Sequence, residues 1–326
     1  MEETAALGQV TCPSGELVLM DGGYLDLWSG DRSPDDDDAR DDSGPAADFE
    51  VVGADADAAA RSFDRQSGRM LYDIPEHGTA EFAELFDEHC RTRGLNAALH
   101  RSARRVPHRD RVRRATTVGD PDFLITGVSV VPVGEVPIDR PLPVTAVGGQ
   151  WGWREIRIGF REDTAVATRP LGEIGVDFAR FVFADADALG SWDHHRPLDG
   201  LADVVFWGRD AAAIAAGPTD TPGEDVQGWL NLPVRDAYAR ALALDHRRQA
   251  DPPRMFAFDF RPHSHHWQVM ADVRASDHEA AGIEVGGARL MMAMTSVGDG
   301  FFPVHLDVDA AGVPVAVRIT VTGDDD

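Results

Sequence analysis

FFPVHLDVDAAGVPVAVRITV, residues 301–321, decides the fold class. Its two apolar runs are rich in β-branched and aromatic residues, and Asp309-Ala310-Ala311-Gly312 between them supplies the chemistry of a tight hairpin turn. Working outward, the span 255–321 reads as nearly all strand. FAFDF, HWQVMADV, AGIEV, ARLMMAMT, FFPVHLDV and VPVAVRITV follow one another with short Gly- or Asp-containing connections, which predicts an antiparallel meander. Upstream, FLITGVSVVPV, LPVTAV and WREIRIGF between 123 and 160 continue the strand pattern. Near the start, QVTC (9–12) and ELVLM (16–20) read as a hairpin across Pro13-Ser14-Gly15.

Helices are fewer. TAEFAELFDEHCRTR (79–93) has Thr79 as a cap, Phe82, Leu85, Phe86 and Cys90 on one stripe, and Gly94 as a stop. Residues 209–216 and 233–248 also read as helix. The second is opened by Pro233, with Val234, Ala237, Tyr238, Ala241 and Leu242 as its apolar stripe. Because helices do not alternate regularly with strands, the expected class is α+β: largely antiparallel sheets, a C-terminal β-meander and a few packed helices. The expected organisation is an N-terminal part, 1–120, with hairpin, acidic loop and helix, and a β-rich part, 121–326, packed as one compact unit.

The 326-residue chain is 43% hydrophobic, enough for a sizeable core. A formal net charge of −25 repels nucleic acid and anionic membranes, so neither is an expected partner. No lysine occurs, so arginine carries all of the fixed positive charge. The two cysteines, Cys12 and Cys90, stand far apart without metal or redox spacing; free thiols and a cytoplasmic setting are the expectation. MEETAALGQV lacks the basic and apolar regions of a signal peptide, and nowhere is there an apolar run of about 18 residues.

Two charged stretches stand out. GDRSPDDDDARDDSGPAAD (30–48) reads as a disordered loop, since it has no large apolar anchor and lacks the ligand spacing of a calcium loop. RSARRVPHRDRVRR (101–114) packs seven arginines into fourteen residues. It reads as a solvated arm that pairs with the protein's own carboxylates, in preference to a phosphate cradle.

The candidate chemistry sits in three places. RPHSHHW (261–267) carries three histidines; on a strand beginning at 264, His263 and His265 share one face and His266 takes the other. With His305 or Asp307 as third ligand those two could hold zinc or iron, but spacing guarantees no third ligand and no acid stands at Gln268 or Val269 as the cupin pattern requires. No metal and no cofactor are therefore expected. SWDHHRPLDG (191–200) places Asp193, His194, His195, Arg196 and Asp199 on a loop, where an Asp can orient a histidine base. SVGDGFFPVH (296–305) sets Asp299 between glycines that permit close backbone approach. The candidate catalytic residues are His263, His265, Asp299, Asp193 and His195. The candidate substrate-binding residues are Arg261, Trp267, His305, Trp207 and Arg209. Hydrolase, zincin and kinase signatures are absent from the sequence.

LGQVTCPSGELVLMD, DADALGSW, DGLADVVFWGRDA, RPHSHHWQV and SVGDGFFPVHLDVDAAGVPVAVRI together resemble the domain of unknown function family numbered 4241. Members of that group start with a PSG-containing segment and close with a GDG-[YF]-P strand. Val297 departs from the pattern, standing where an aromatic is commoner before the GDG. The resemblance covers most of the chain and implies no established activity. Two classes of function are open at this level: an enzyme or small-molecule binder with a His/Asp/Trp/Gly-lined polar pocket, or a non-catalytic, immunity-type interaction protein whose acidic surface meets a basic partner.

Overall fold

A computed structural model describes residues 4–36, 44–117, 123–149, 152–210, 227–250 and 256–322. The strands are β1 (Thr4–Val10), β2 (Leu17–Asp21), β3 (Ala46–Val52), β4 (Met70–Pro75), β5 (Ala98–Arg101), β6 (Phe123–Ile125), β7 (Val128–Val133), β8 (Leu142–Gly148) and β9 (Trp153–Gly159). They continue with β10 (Ala167–Val176), β11 (Arg180–Asp185), β12 (Leu201–Trp207), β13 (Gln227–Pro233), β14 (Ala257–Pro262), β15 (Ala280–Val285), β16 (Ala288–Met294), β17 (Gly300–Val308) and β18 (Pro314–Thr320). The helices are α1 (Ala56–Ser62), α2 (Thr79–Arg93), α3 (His108–Thr117), α4 (Val234–Ala250) and α5 (His265–Ala275). The class is α+β with antiparallel sheets. No helix among the described residues is long and apolar enough to cross a membrane.

The chain divides into unit one, Met1–Trp192 with Asp272–Asp326, and unit two, Asp193–Ala271; position 120 falls inside unit one. Unit one holds two six-stranded sheets, ordered β1-β8-β9-β18-β17-β10 and β15-β16-β11-β2-β7-β6, and a small sheet β4-β3-β5. One core joins the large sheets: Val144, Ile156, Ile158, Val304, Val317 and Ile319 from the first meet Leu17, Leu19, Phe181, Phe183, Met291 and Ala293 from the second. The alternating residues of each strand supply that core, as the pleat requires.

The opening hairpin is not formed. The turn exists, with Gly15 N donating to Cys12 O at 3.0 Å, but β1 pairs with β8 while β2 pairs with β7 and β11. The unbroken apolar run of β2, buried at every position, suits an interior strand better than half of a hairpin. At the C-terminal end, β15–β16 and β17–β18 are two hairpins, one in each large sheet, and Asp309–Gly312 closes the second with Gly312 N donating to Asp309 O at 3.0 Å.

HWQVMADV is helical, against the strand expected there. Ser264 accepts from Trp267 N through its hydroxyl and from Gln268 N through its carbonyl, which starts α5, and Val269, Met270 and Val273 fall at helical spacing and are buried. Helix α2 matches the sequence, and Gly94 ends it at φ +67°; Gly78, not Thr79, takes the capping position, and Thr79 donates to Glu76 O. Leu85 of its expected stripe is exposed. On α4, Ala237, Ala241 and Leu244 are buried while Tyr238 and Leu242 are exposed, so the stripe is rotated from its expected place. From residue 211 on, the helix expected at 209–216 lies outside the described residues.

The arginine-rich segment pairs with the protein's own carboxylates as expected, but Arg105, Arg109 and Arg111 are buried. Arg111, fully buried, grips Asp73 through both terminal nitrogens at 2.7 and 2.9 Å and reaches Asp48 at 3.4 Å. It also donates to Val106 O and Leu124 O and lies 4.4 Å above the Tyr72 ring. Burial opposes the Asp73 charge, yet Arg111 outweighs it and holds Asp73 down at about 2; for Asp48 burial prevails and raises it. Around this hub, Arg105 pairs with Asp35 at 2.7 Å, Arg109 with Glu16 at 2.8 Å, and Arg104 with Asp36. The stretch 30–48 is therefore not a loose loop where described: Ser33 Oγ donates to Arg105 O at 2.8 Å, and Ala46–Asp48 begin β3. Its acids are counter-charges to the arginines.

Candidate functional site

Unit two rests on the sheet β13-β12-β14. Ala202, Val204 and Phe206 point from β12 into a core with Ala237, Ala241 and Leu244 of α4, so the alternate residue Asp203 takes the opposite face. β14 runs beside β12 with Arg261 opposite Asp203 and Pro262 opposite Ala202. That register carries His263 to the entry of β12. Its backbone N donates to Leu201 O and its carbonyl accepts from Leu198 N, both at 3.0 Å, and the Gln268 amide donates to the same carbonyl.

His263 sits between two aspartates, Nδ1 2.8 Å from Asp199 and Nε2 3.2 Å from Asp203. Both acids are fixed by the backbone: Asp199 accepts from Leu201 N and Asp203 from Asn231 N, each at 2.8 Å. Burial works against charge on His263, but the two carboxylates prevail and raise its pKa, while Asp199 is lowered in return by His263. With both nitrogens on carboxylates, His263 presents none to a metal ion.

Two residues on, His265 has the opposite tuning. Burial lowers its pKa, and the Asp193 carboxylate only partly offsets that. Its Nδ1 accepts from Asp193 N at 2.9 Å while its own backbone N donates to Asp193 O at 3.1 Å. The neutral ring therefore carries its proton on Nε2. Asp193 is held further by Arg196 at 2.7 Å.

A continuous run of rings adjoins this pair. Arg261 lies over Trp267 at 5.2 Å, Trp267 meets His266 edge-on at 5.3 Å, and His266 stacks on His194 at 4.1 Å and 19°. His194 in turn touches His195 at 4.6 Å. Nitrogens of His194 and His195 come within 4.8 Å of each other, a spacing at which two imidazoles can share one ion.

Asp193, His195, Arg261, His263, His265 and Trp267 are thus gathered at one end of unit two. Trp207 and Arg209 are not among them: Trp207 pairs with Ala257, roughly 17 Å along β14 from Pro262 at the usual strand rise. Asp299 and His305 belong to unit one. Asp299 accepts from Ala179 N at 2.9 Å and so ties one loop, while His305 lies six residues on along β17, roughly 20 Å away. Sequence reasoning missed Asp203, and it noted His194, Asp199 and His266 in their clusters without making them candidates. A strand reading of 264–273 turns His266 away, and only the capping residue Ser264 signals the helix that brings it to His194.

No protein-family model matches the chain, and neither a curated protein nor a solved structure does.

Proposed function

We propose that the chain is a small-molecule-binding protein whose recognition surface is the histidine face of unit two. The supporting observation is one pair: His263 and His265, two residues apart, pushed in opposite directions beside a ladder of stacked rings. Environments that separate two titratable groups in this way assign them different roles. His263 is the cation that fixes the loop 193–200, and His265 is a neutral donor through Nε2. His195, the exposed end of the ladder, is where a flat partner would extend the run of rings, and a neutral imidazole suits its carbonyl or carboxylate oxygen. The ligand class is a planar aromatic acid or amide.

The test is NMR of the histidine side chains during titration with benzoate, nicotinate and nicotinamide. Saturable shifts at His265 and His195 are expected, abolished by His265→Gln while the melting temperature changes by no more than about two degrees. Unmoved histidines with all three probes, together with shifts across the acidic surface on adding an arginine-rich peptide, would instead favour the interaction class.

A further inference from the structure

Unit one carries a cluster of cations that the hub does not use. A cleft of about 800 Å³ is lined by Arg140, Arg157 and Arg161, by Pro141 and Pro143, and by Gly159 with its neighbours up to Asp163. Arg157 lies on β9 between the buried residues Ile156 and Ile158, so its side chain takes the face away from the core. Across the strands it faces Thr145 and Arg318. Arg318 is saturated by Asp307 at 2.7 Å and Glu155 at 3.0 Å. Neither Arg157 nor Arg161 has a carboxylate within 4.0 Å among the described residues. A counter-charge that does act on Arg157 is Asp307, which is already bound by Arg318.

The walls are firmly placed. Phe160 N and Arg161 N both donate to Val315 O, at 2.8 and 3.1 Å, and Arg140 Nη2 donates to Phe160 O at 2.9 Å, anchoring that arginine across the cleft. Gly159 keeps the floor low. A Cβ there would come within 3.1 Å of Arg157 Nη1 and 3.4 Å of Pro143 Cγ, in the space where the guanidinium lies. Pro141 and Pro143, both exposed, add an apolar part to the lining.

We infer that this cleft binds a small oxyanion with at least two acidic oxygens, a phosphate or dicarboxylate group. Planar guanidinium forks match either group with paired charge-assisted hydrogen bonds. Glu162 and Asp163 on the rim repel a highly charged polyanion, which favours a compact group with one or two charges over a nucleic-acid backbone.

Isothermal titration of the full chain at low salt, with inorganic phosphate and with succinate as separate probes, tests the site. One of the two should bind saturably, and the stronger identifies the group. Arg157→Met should weaken that probe about tenfold or more, the loss of one charge-assisted pair, and Arg157→Lys by less. Gly159→Val should weaken binding with all three arginines intact, a result that bulk charge attraction would not give. Circular dichroism melting checks that each variant folds; a variant that melts early is replaced by Arg161→Ala, which lies on an exposed turn. No saturable heat with either probe overturns the inference, as does binding that survives Arg157→Met with Arg161→Ala.

Discussion

Unit one and unit two each contain a cation gripped by two aspartates, Arg111 in the first and His263 in the second, and these two grips behave differently. In unit one, Arg111 lies between Asp48 and Asp73 with every partner buried; in unit two, His263 lies between Asp199 and Asp203 with its side chain 19% exposed and the acids more so. The guanidinium is charged at any physiological pH, so the first grip is a permanent strut. Imidazole titrates near neutrality, so the second can be released. Burial sets the energetic stake, and the identity of the cation sets whether it can be withdrawn.

The largest effect is expected at the strut. Arg111→Met should cost about 3–5 kcal/mol, because it strands two carboxylates in the core. Denaturant unfolding measures it, and Arg111→Met combined with Asp73→Asn should cost less than Arg111→Met alone; simple additivity would show that the pair is not coupled. Next is Asp35→Ala, about 1–3 kcal/mol, since it leaves the buried Arg105 short of its closest counter-charge. A neutral result would return the stretch 31–36 to the status of a dispensable loop.

His263→Gln should cost at most about 1 kcal/mol, because solvent screens a partly exposed pair. Its signature is in the pH dependence. His263 is raised in the fold, so its contribution is fully present below the unfolded value of about 6.5 and is lost as pH rises through the folded value. The stability gap between the parent chain and His263→Gln should therefore narrow from pH 6 upward; a gap that widens would mean that the clamp is not ionic. His265 is lowered, so it has the reverse sign and disfavours the fold as pH falls below about 6.5. The smallest effect concerns Cys12 and Cys90, both free and buried. Burial, reinforced by Asp185, pushes the Cys12 thiol up. Both thiols should be slow to react in the native chain and fully titratable in denaturant.

Much of the strand content was legible because alternation and turn residues are local. Asp309–Gly312, Gly94 and the span of α2 could all be read from neighbouring residues. Partners could not: Pro13-Ser14-Gly15 marks a turn but does not say whether the strands it joins pair with each other or enter separate sheets. Burial of charge was equally hidden. Nothing within RSARRVPHRDRVRR separates the fully buried Arg111 from the exposed Arg113, because what buries Arg111 is Asp48, Asp73 and Leu124, remote in sequence or set by the fold. At the candidate site the loop 191–200 and the segment 261–267 were both legible as polar clusters. Their union was not, because it depends on the pairing of β12 with β14 and on Ser264 turning the chain into a helix.

The most direct measurement is the NMR titration of the His263 and His265 Cε1 protons in the full chain. His263 should titrate above the ordinary value of about 6.5 and His265 below it, with Asp199→Asn bringing His263 back towards that value and leaving His265 in place. A shared midpoint near 6.5, or the reverse order, would contradict the division of the pair into a clamp and a neutral donor.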